Sequence, residues 1–358
     1  MIGLTAVFAF LWTQNSKRLA LVRDGGAGSS GITTTEGTIK AQNLILALLS
    51  FLPMFLVNAC MEYVGNDYQN YYLYYRNIMS GAGQDVEITF HLISLLAAEL
   101  GLGFQGVYYI YSLINHILLL VCIRRFSDNY AVSYLMFFLN GFFFYLGLNQ
   151  IRQFTSVMLV FYAYRYIREK KPLRYLICVG LAATFHVTAA VMLPFYWILK
   201  TKWKLSTYCV VAVLLAPVNL FYTEVITWLF QNFMPRYLNT NYATREFSMN
   251  IRYLCVVVLT LVIALIYEKK SREDNTVFRN GLMLSNLIVL FASWLPEYQR
   301  FVFYFFVPSI AFIPHLVEKD ESRLRRIGVY VILLGVYFWY FRDLYPGMGV
   351  IPYKSIFG

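Results

Sequence analysis

Apolar residues along this chain come in blocks long enough to cross a lipid bilayer, and the blocks alternate with short polar or charged segments. A transmembrane helix needs about 20 predominantly apolar residues, because an α-helix rises about 1.5 Å per residue. The pattern therefore predicts an all-α polytopic integral membrane protein with about 11–12 transmembrane segments. Residues 1–358 are expected to form a single transmembrane domain, since no soluble domain interrupts the apolar blocks.

The composition supports the membrane assignment and changes the meaning of the positive charge. Of the 358 residues, 59% are hydrophobic and 14% are charged, against about a quarter charged in soluble proteins. The formal net charge of +11 would suggest a nucleic-acid partner in a soluble protein. Here Lys and Arg lie mostly in short loops, where they mark the cytoplasmic side. We therefore expect a phospholipid membrane around the protein and no nucleic-acid partner.

The polar segments predict loops of defined sidedness. Met1–Trp12 is expected as a shortened first helix, and residues 13–40, rich in Gly, Ser and Thr, as a flexible cytoplasmic loop. Residues 62–103 carry an excess of acidic side chains and should lie outside, with Ile88–Leu100 as a helix on the outer surface. Residues 222–250 are predicted to form a second external loop.

The charges on both sides of Tyr175–Leu199 predict a broken or re-entrant helix pair. Arg165–Arg174 precedes this apolar stretch and Lys200–Lys204 follows it, so both flanks should lie in the cytoplasm. One helix would rise to about Phe185 and His186, and a second would descend from there. Because non-helical backbone at this depth needs a protein or water-filled surrounding, the break suggests a cavity that contains His186. The alternative is one long tilted helix.

Positively charged side chains on the outer side go against the orientation rule and are candidate anion ligands. Arg152 and Arg300 lie in short outer turns, and Arg236 and Arg245 lie in the second external loop. A guanidinium next to a helix start suits a diphosphate, because it presents a planar pair of donors beside free backbone N–H groups. The polar neighbours of Arg152 are Asn149, Gln150 and Gln153. The alternative is that such arginines pair with lipid headgroups or acidic loop residues.

Three further residues are candidates for proton transfer. Asp67 lies near the start of the first external loop, Glu87 lies at its last turn before the surface helix, and His186 lies at the predicted helix break. Each type of side chain can deprotonate an attacking sugar hydroxyl. Glu87 can equally be an ordinary first-turn residue that the helix dipole favours, and His186 can equally be structural.

Other chemistry lacks support in the sequence. The five cysteines lie in or beside apolar blocks, and no Cys/His cluster has metal-ligand spacing. No glycine-rich phosphate-binding loop of the nucleotide-binding type is present. We therefore expect no metal and no cofactor.

Several short motifs in a fixed order resemble those of a known family, the EpsG family of Wzy-like polysaccharide polymerases. The motifs are Gly65-Asn66-Asp67-Tyr68 followed by Tyr71 or Tyr72, Glu87 before an apolar helix, Asn149 to Gln153, Phe185-His186-Val187-Thr188-Ala189, Arg300 to Tyr304, and Pro352-Tyr353. The resemblance covers about Gly65 to Tyr353, which is most of the chain.

The resemblance implies a multi-pass protein of the bacterial cytoplasmic membrane with a GT-C-like helical fold. Such a protein polymerises undecaprenyl-diphosphate-linked oligosaccharide repeat units for a capsule or exopolysaccharide, on the outer face of the membrane. A chain-length regulator and a flippase of the same pathway would be its partners. The implied site consists of catalytic candidates Asp67, Glu87 and His186, diphosphate ligands Arg152, Arg300, Gln150 and Gln153, and substrate ligands Tyr68, Asn149, Arg236, Arg245, Tyr304 and Tyr353.

Two other functions remain open at this point. A ligase would transfer a finished glycan to a different acceptor, and would differ from a polymerase only in making a single addition. A transporter or flippase of lipid-linked sugars would move its substrate across the bilayer, although the inverted repeats common in transporters are not visible in the sequence.

Overall fold

A computed structural model shows a helical protein and describes residues 1–24, 30–83, 85–140, 142–233, 250–269, 271, 273–295, 297–344, 349–350 and 352–357. The helices within these residues are α1 (Ile2–Asp24), α2 (Ser30–Ala59), α3 (Tyr68–Met79), α4 (Ile88–Glu99), α5 (Gly103–Phe126), α6 (Tyr130–Leu139), α7 (Phe142–Leu148), α8 (Ile151–Arg168), α9 (Pro172–Phe185), α10 (Phe195–Lys200), α11 (Leu205–Leu215), α12 (Tyr222–Phe233), α13 (Ile251–Glu268), α14 (Thr276–Phe291), α15 (Gln299–Phe306), α16 (Ser309–Val317) and α17 (Arg323–Leu344). Two 3₁₀ helices, Val187–Met192 and Ala216–Asn219, complete the set.

The described helices make this a multi-pass membrane protein, with fewer continuous spans than the sequence predicts. Five helical stretches are long and apolar enough to cross a membrane, and a bent pair at Leu205–Asn219 and Tyr222–Asn232 raises the number to six. The expected 11–12 segments are not reached on this criterion, because several apolar blocks are split or short. One example is the block from Tyr130 to Leu148, which divides into α6 and α7. The five stretches are Glu36–Ala59, Gly103–Phe126, Ile251–Glu268, Gln299–Val317 and Arg323–Arg342.

The span formed by α15 and α16 lies at the centre of the bundle. Of its most apolar window, 83% is buried inside the protein, against 22% for the corresponding window of α2. A helix that is buried on all sides touches protein rather than lipid. The residues of α15 from Val302 onward are therefore surrounded by other helices.

The chain breaks and turns back at His186. Helix α9 ends at Phe185, and His186 has extended backbone with φ −157° and ψ 118°. The Tyr175 hydroxyl, near the start of α9, donates to the carbonyl of Met192 at 2.7 Å. The rings of Tyr175 and Tyr196 lie 5.4 Å apart. Because residues on opposite sides of the break touch one another, the two arms run side by side, and the predicted helix break is confirmed.

The two ends of this hairpin reach the same loop. Before it, an Nη atom of Arg168 lies 3.8 Å from Glu273. After it, the Nζ of Lys202 lies 3.7 Å from the adjacent Asp274. Both basic flanks therefore face one end of the bundle, as the charge pattern predicts.

Helix α1 extends well beyond the short helix expected for Met1–Trp12, and the loop predicted at residues 13–40 is largely helical. Helix α1 continues to Asp24, and α2 begins at Ser30. The Asn15 side-chain amide donates to the Ile39 carbonyl at 3.1 Å and to Asn43 Oδ1 at 3.2 Å. Packing of α1 against α2 supplies polar partners that the local composition does not reveal, and it stabilises helix where glycine and serine suggest a loop.

The two predicted external loops also contain additional helix. Residues 62–103 hold α3 as well as α4, so the expected single surface helix is one of a pair. Helix α3 is amphipathic, and it buries Tyr68, Tyr71 and Ile78. The segment predicted as an external loop over residues 222–250 begins with α12, and residues 234–249 lie outside the described part of the chain.

Candidate functional site

Glu87 connects two other predicted site residues. It is the residue before α4, and its backbone is extended, with φ −59° and ψ 143°. Carboxylate atom Oε1 lies 3.0 Å from Nδ1 of His186, and Oε2 forms an ion pair with Nη1 of Arg152. All three side chains are partly buried, with exposed fractions of 17%, 13% and 18% for Glu87, His186 and Arg152. One carboxylate thus joins the start of α4, the start of α8 and the helix break.

The contact between Glu87 and His186 determines how the imidazole can act. With Nδ1 donating its proton to the carboxylate, the neutral ring keeps a free lone pair on Nε2. That Nε2 atom is buried and has no hydrogen-bond partner among the described residues. A carboxylate that orients one ring nitrogen while the other is open is the arrangement of a general base.

The same contacts shift the acidity of Glu87. Burial raises the pKa of its carboxyl group, but the hydrogen bond from His186 and the charge of Arg152 lower it more. The net effect is a pKa below the ordinary value of 4.5. Glu87 is therefore a carboxylate at neutral pH, which suits an orienting role rather than a proton-donating one.

Arg152 is enclosed by aromatic rings as well as paired with Glu87. Its guanidinium carbon lies 5.4 Å from the ring centre of Tyr71, 5.6 Å from that of Tyr74 and 5.7 Å from that of Phe90. Tyr71 and Tyr74 are three residues apart on α3 and so share a face of that helix. These contacts favour a role in holding Glu87 in place, although the buried Nε of Arg152 has no hydrogen-bond partner among the described residues.

Tyr304 lies at the next part of the site. Its hydroxyl lies 2.9 Å from Oγ1 of Thr188, two residues beyond His186, and 3.2 Å from Oγ of Ser156 on α8. The Gln153 side-chain amide donates to the carbonyl of Arg300 at 3.4 Å. These contacts bring the start of α15 against the start of α8 and the helix break.

Arg300 differs from Arg152 in its exposure. Its Nε lies 3.2 Å from the Glu297 carboxylate, in a pair whose side chains are 34% and 41% exposed. Glu297 has a positive φ of +59°, in a turn whose carbonyl accepts from the Arg300 backbone N–H at 2.9 Å. An accessible guanidinium in a partly solvated pair can exchange its carboxylate for an incoming anion at small cost.

Asp67 belongs to the same electrostatic site. Burial raises the pKa of its carboxyl group, and the charges of Arg300 and Arg152 oppose that rise. Its backbone N–H donates to Oδ1 of Asn149 at 2.9 Å, which joins the segment before α3 to the segment before α8. Gly65 makes this approach possible, because its φ is +83° and an added Cβ would lie 2.8 Å from that Asn149 oxygen. Asn149 therefore positions Asp67 through the backbone.

The C-terminal segment packs against this first outer segment. The Gly65 N–H donates to the carbonyl of Gly349 at 2.9 Å, and Met61 forms an antiparallel bridge with Ser355. The Tyr353 hydroxyl donates to the carbonyl of Val57 at 2.7 Å. Tyr353, expected as a substrate ligand, thus anchors the C-terminal segment to the end of α2.

The other predicted residues fall outside this constellation. Gln150 precedes α8 without capping it through its side chain, and Tyr68 is buried with its ring stacked 5.4 Å from that of Tyr108. Arg236 and Arg245 lie outside the described residues. Among the residues that the structure describes, no group of three or more His, Cys, Asp or Glu side chains has the arrangement of a metal site.

Sequence reasoning missed the contacts of Arg152 with aromatic rings and the hydroxyl partners of Tyr304. Tyr71 and Tyr74 lie in a segment that reads as a tyrosine-rich acidic loop, although their spacing of three residues is helical. Phe90 and Ser156 carry no signal of their own, because their contacts come from distant parts of the chain. Thr188 belongs to one of the family motifs, but its contact with Tyr304 spans 116 positions and is not visible in the sequence.

Comparison with known proteins gives one positive result. Residues 44–355 match the model of the EpsG family, so the match includes every part of the site described above. No curated protein and no solved structure matches the chain.

Proposed function

The chain belongs to the EpsG family of Wzy-like polysaccharide polymerases, and we propose that it polymerises undecaprenyl-diphosphate-linked oligosaccharide repeat units on the outer face of the bacterial cytoplasmic membrane. The product would be a capsular polysaccharide or an exopolysaccharide. The single observation that carries the proposal is the bridging of His186 and Arg152 by Glu87. It supports a base, an orienting carboxylate and a fixed cation within one contact network.

In the proposed reaction, a hydroxyl oxygen of the incoming repeat unit attacks the anomeric carbon of the growing glycan. The bond from that carbon to the diphosphate oxygen breaks, and undecaprenyl diphosphate leaves with the electron pair. The hydroxyl proton passes to Nε2 of His186, which is buried and unpartnered. Glu87 stabilises the imidazolium that results, because its carboxylate lies 3.0 Å from Nδ1.

We assign the diphosphate to Arg300 and a positioning role to Arg152. Charge develops on the leaving diphosphate as the bond breaks, and an accessible guanidinium stabilises it in the transition state. Arg300 is the more exposed of the two, whereas Arg152 is enclosed by Glu87 and three rings. Gln153, next to Arg152 on α8, connects the two arginines because its side-chain amide donates to the Arg300 carbonyl.

Asp67 is proposed to position the acceptor sugar. Its carboxyl group lies within the electrostatic influence of both arginines, and the bond to Asn149 fixes its backbone. A carboxylate accepts hydrogen bonds from two sugar hydroxyls at once, which would select the orientation of the incoming repeat. Tyr304 would complete the acceptor side through its hydroxyl, which already joins Thr188 and Ser156.

The finer features of this proposal follow from family membership and the charge pattern. They are a GT-C-like arrangement of the helices, the outward orientation of the site, and a chain-length regulator and flippase as partners. The outward orientation is supported by Arg168 at the other end of α8, because it belongs to the basic segment Arg165–Arg174 that the charge pattern assigns to the cytoplasm. Arg152 and Arg168 lie 16 residues apart on one helix, or about 24 Å at 1.5 Å per residue.

The experiment that tests the proposal is a product analysis with purified protein in proteoliposomes. The substrate is the host's undecaprenyl-diphosphate-linked repeat unit, supplied without nucleotide. A polymerase gives a ladder of products that differ by one repeat. The His186→Gln variant should reduce the ladder by about 10²-fold or more, since a general base contributes about 10²–10⁴-fold.

His91→Gln is the matched control, because it removes a histidine of α4 that lies outside the site. It should retain the wild-type ladder. A single addition to a different acceptor would replace the polymerase proposal with a ligase. Transbilayer movement of the substrate without any coupling would replace it with a transporter.

A further inference from the structure

A groove between α1 and α2, remote from the site described above, is lined by two kinds of side chain. Its volume is about 500 Å³, and it is open to the surroundings of the protein. The residues that give the groove its character are apolar Leu11, Ile45 and Leu46, and polar Gln14, Arg18 and Gln42.

The two kinds of side chain are separated along the groove. Because Asn15 contacts Asn43, while Arg23 farther along α1 pairs with Glu36 earlier in α2, the two helices run antiparallel. Leu11 is therefore at the same level as Ile45 and Leu46, Gln14 and Gln42 lie about one helical turn away, and Arg18 lies at the opposite end. Leu11 and Arg18 are seven residues apart, or about 10 Å along α1.

The polar end lies at the boundary of the membrane. The α2 span begins at Glu36, so Gln42 is six residues, or about 9 Å, inside its charged end. The headgroup region of a bilayer is about 5–8 Å deep on each side of the hydrocarbon core. The groove thus passes from headgroup level at Arg18, past Gln42 at the edge of the hydrocarbon core, to hydrocarbon level at Leu11.

Arg18 differs from its basic neighbours, which are already paired with carboxylates. Lys17 lies 2.8 Å from Glu318, and Arg23 and Lys40 lie 2.9 Å and 2.8 Å from Glu36. Among the residues whose side chains the structure describes, none forms an ion pair with Arg18. An unneutralised guanidinium beside two glutamine amides has the donor groups that bind a phosphate diester.

We propose that this groove binds one anionic phospholipid, with its phosphate at Arg18 and an acyl chain along Leu11 and Ile45. The apolar end favours a lipid over a free phosphate, because Leu11 and Ile45 are 43% and 55% exposed and gain nothing from a small anion. The unpaired charge favours an anionic lipid over a zwitterionic one. The bond between Asn15 and Asn43 holds the two helices in register on either side of the lipid.

The test is native mass spectrometry of the full chain in detergent, titrated with dioleoyl phosphatidylglycerol and, separately, with dioleoyl phosphatidylcholine. Wild-type protein should retain one phosphatidylglycerol more tightly than phosphatidylcholine. Arg18→Gln should weaken the retention of phosphatidylglycerol about five-fold, because one basic residue near the surface contributes about 1 kcal/mol. Arg124→Gln, which removes an exposed cation from the last turn of α5, should leave retention unchanged.

A second variant tests the apolar end without changing the charge. Leu11→Trp should fill the groove and weaken the retention of phosphatidylglycerol. Inorganic phosphate should compete equally poorly for the wild-type protein and for this variant. Equal retention of phosphatidylglycerol by wild type and Arg18→Gln, with unchanged thermal unfolding, would overturn the proposal. So would equal retention of the two lipids by the wild type, or competition by inorganic phosphate at concentrations similar to those of the lipid.

Discussion

Nδ1 of His186 lies 3.0 Å from Oε1 of Glu87, although the two residues are 99 positions apart in the chain. The contact is possible because α9 ends at Phe185 and leaves His186 in extended backbone, facing the residue before α4. A histidine inside a continuous helix would point along the helix surface instead. The helix break is thus what gives the imidazole a carboxylate partner and an open second nitrogen.

We expect Glu87→Gln to lose most of the polymerising activity while the protein remains folded. The amide can still accept from Nδ1, but it lacks the charge that stabilises the imidazolium, so the rate should fall about 10²-fold or more. The measurement is the initial rate of ladder formation. Glu99→Gln, an exposed carboxylate at the other end of α4, is the control and should keep the wild-type rate. A Glu87→Gln rate within a few-fold of wild type would remove Glu87 from the mechanism.

Acid should lower the stability of the folded wild-type protein more than that of the Glu87→Gln variant. The pKa of Glu87 is below its ordinary value of 4.5 in the folded state, so its stabilising contribution is complete above that value. The contribution is lost as the pH falls through the lowered pKa, where the carboxylate takes up a proton. Thermal unfolding in detergent between about pH 6 and pH 3 should therefore show the two proteins converging on the acid side. A constant difference over this range would mean that Glu87 has no depressed pKa.

We expect substitutions of Arg152 and Arg300 to differ in their effects on stability and on activity. Arg152→Ala leaves the partly buried Glu87 without its cation, which should cost about 3 kcal/mol of unfolding free energy as well as activity. Arg300→Ala breaks a pair that is more than a third exposed and should cost less than about 1 kcal/mol. Its activity should nevertheless fall about 10²–10³-fold, since it removes a donor to the leaving group.

The two variants are compared by chemical unfolding and by the rate of ladder formation. Arg300→Lys should recover part of the activity, because it restores a charge without the paired donors. Wild-type rates for Arg300→Ala, together with a stable but inactive Arg152→Ala, would exchange the proposed roles of the two arginines.

The sequence predicts which segments carry the site better than it predicts how they meet. The break at His186 follows from basic flanks on both sides of one apolar block, and the structure confirms it. The ion pair of Glu87 with Arg152 spans 65 positions, and only the packing of α4 against its neighbours determines it. The sequence shows that Arg152 is a basic residue on the side of the membrane where the orientation rule does not expect one. It does not show that the guanidinium already contacts a carboxylate and three aromatic rings.

The short helices were hard to predict for a related reason. Helix α3 is rich in tyrosine and lies between acidic residues, so its composition indicates a loop. It is stabilised by burying Tyr68 and Tyr71 against other helices, and this contribution does not depend on local helix propensity. The same limit applies to the part of α2 around Ile39 and Asn43, where contacts with Asn15 of α1 are not visible in the local composition.

A final prediction concerns the glycine that lets Asp67 approach Asn149. Gly65→Ala would place a side chain at φ +83°, with its Cβ 2.8 Å from Oδ1 of Asn149 and 3.0 Å from the carbonyl of Leu148. The substitution should therefore displace Asn149 and break its hydrogen bond from the Asp67 backbone. Gly81→Ala is a matched control, because Gly81 also has positive φ, at +72°, but has nothing within 4 Å of an added Cβ.

Both alanine variants carry the backbone cost of about 1–2 kcal/mol for a left-handed residue, so their difference isolates the contact with Asn149. We expect Gly81→Ala to retain the wild-type affinity for the acceptor repeat and Gly65→Ala to weaken it, with a larger rise in KM for acceptor than for donor. Steady-state kinetics with each substrate varied in turn measures this difference. If the two variants lost acceptor affinity equally, the effect would come from backbone strain alone, and Asn149 would not position Asp67 for the acceptor.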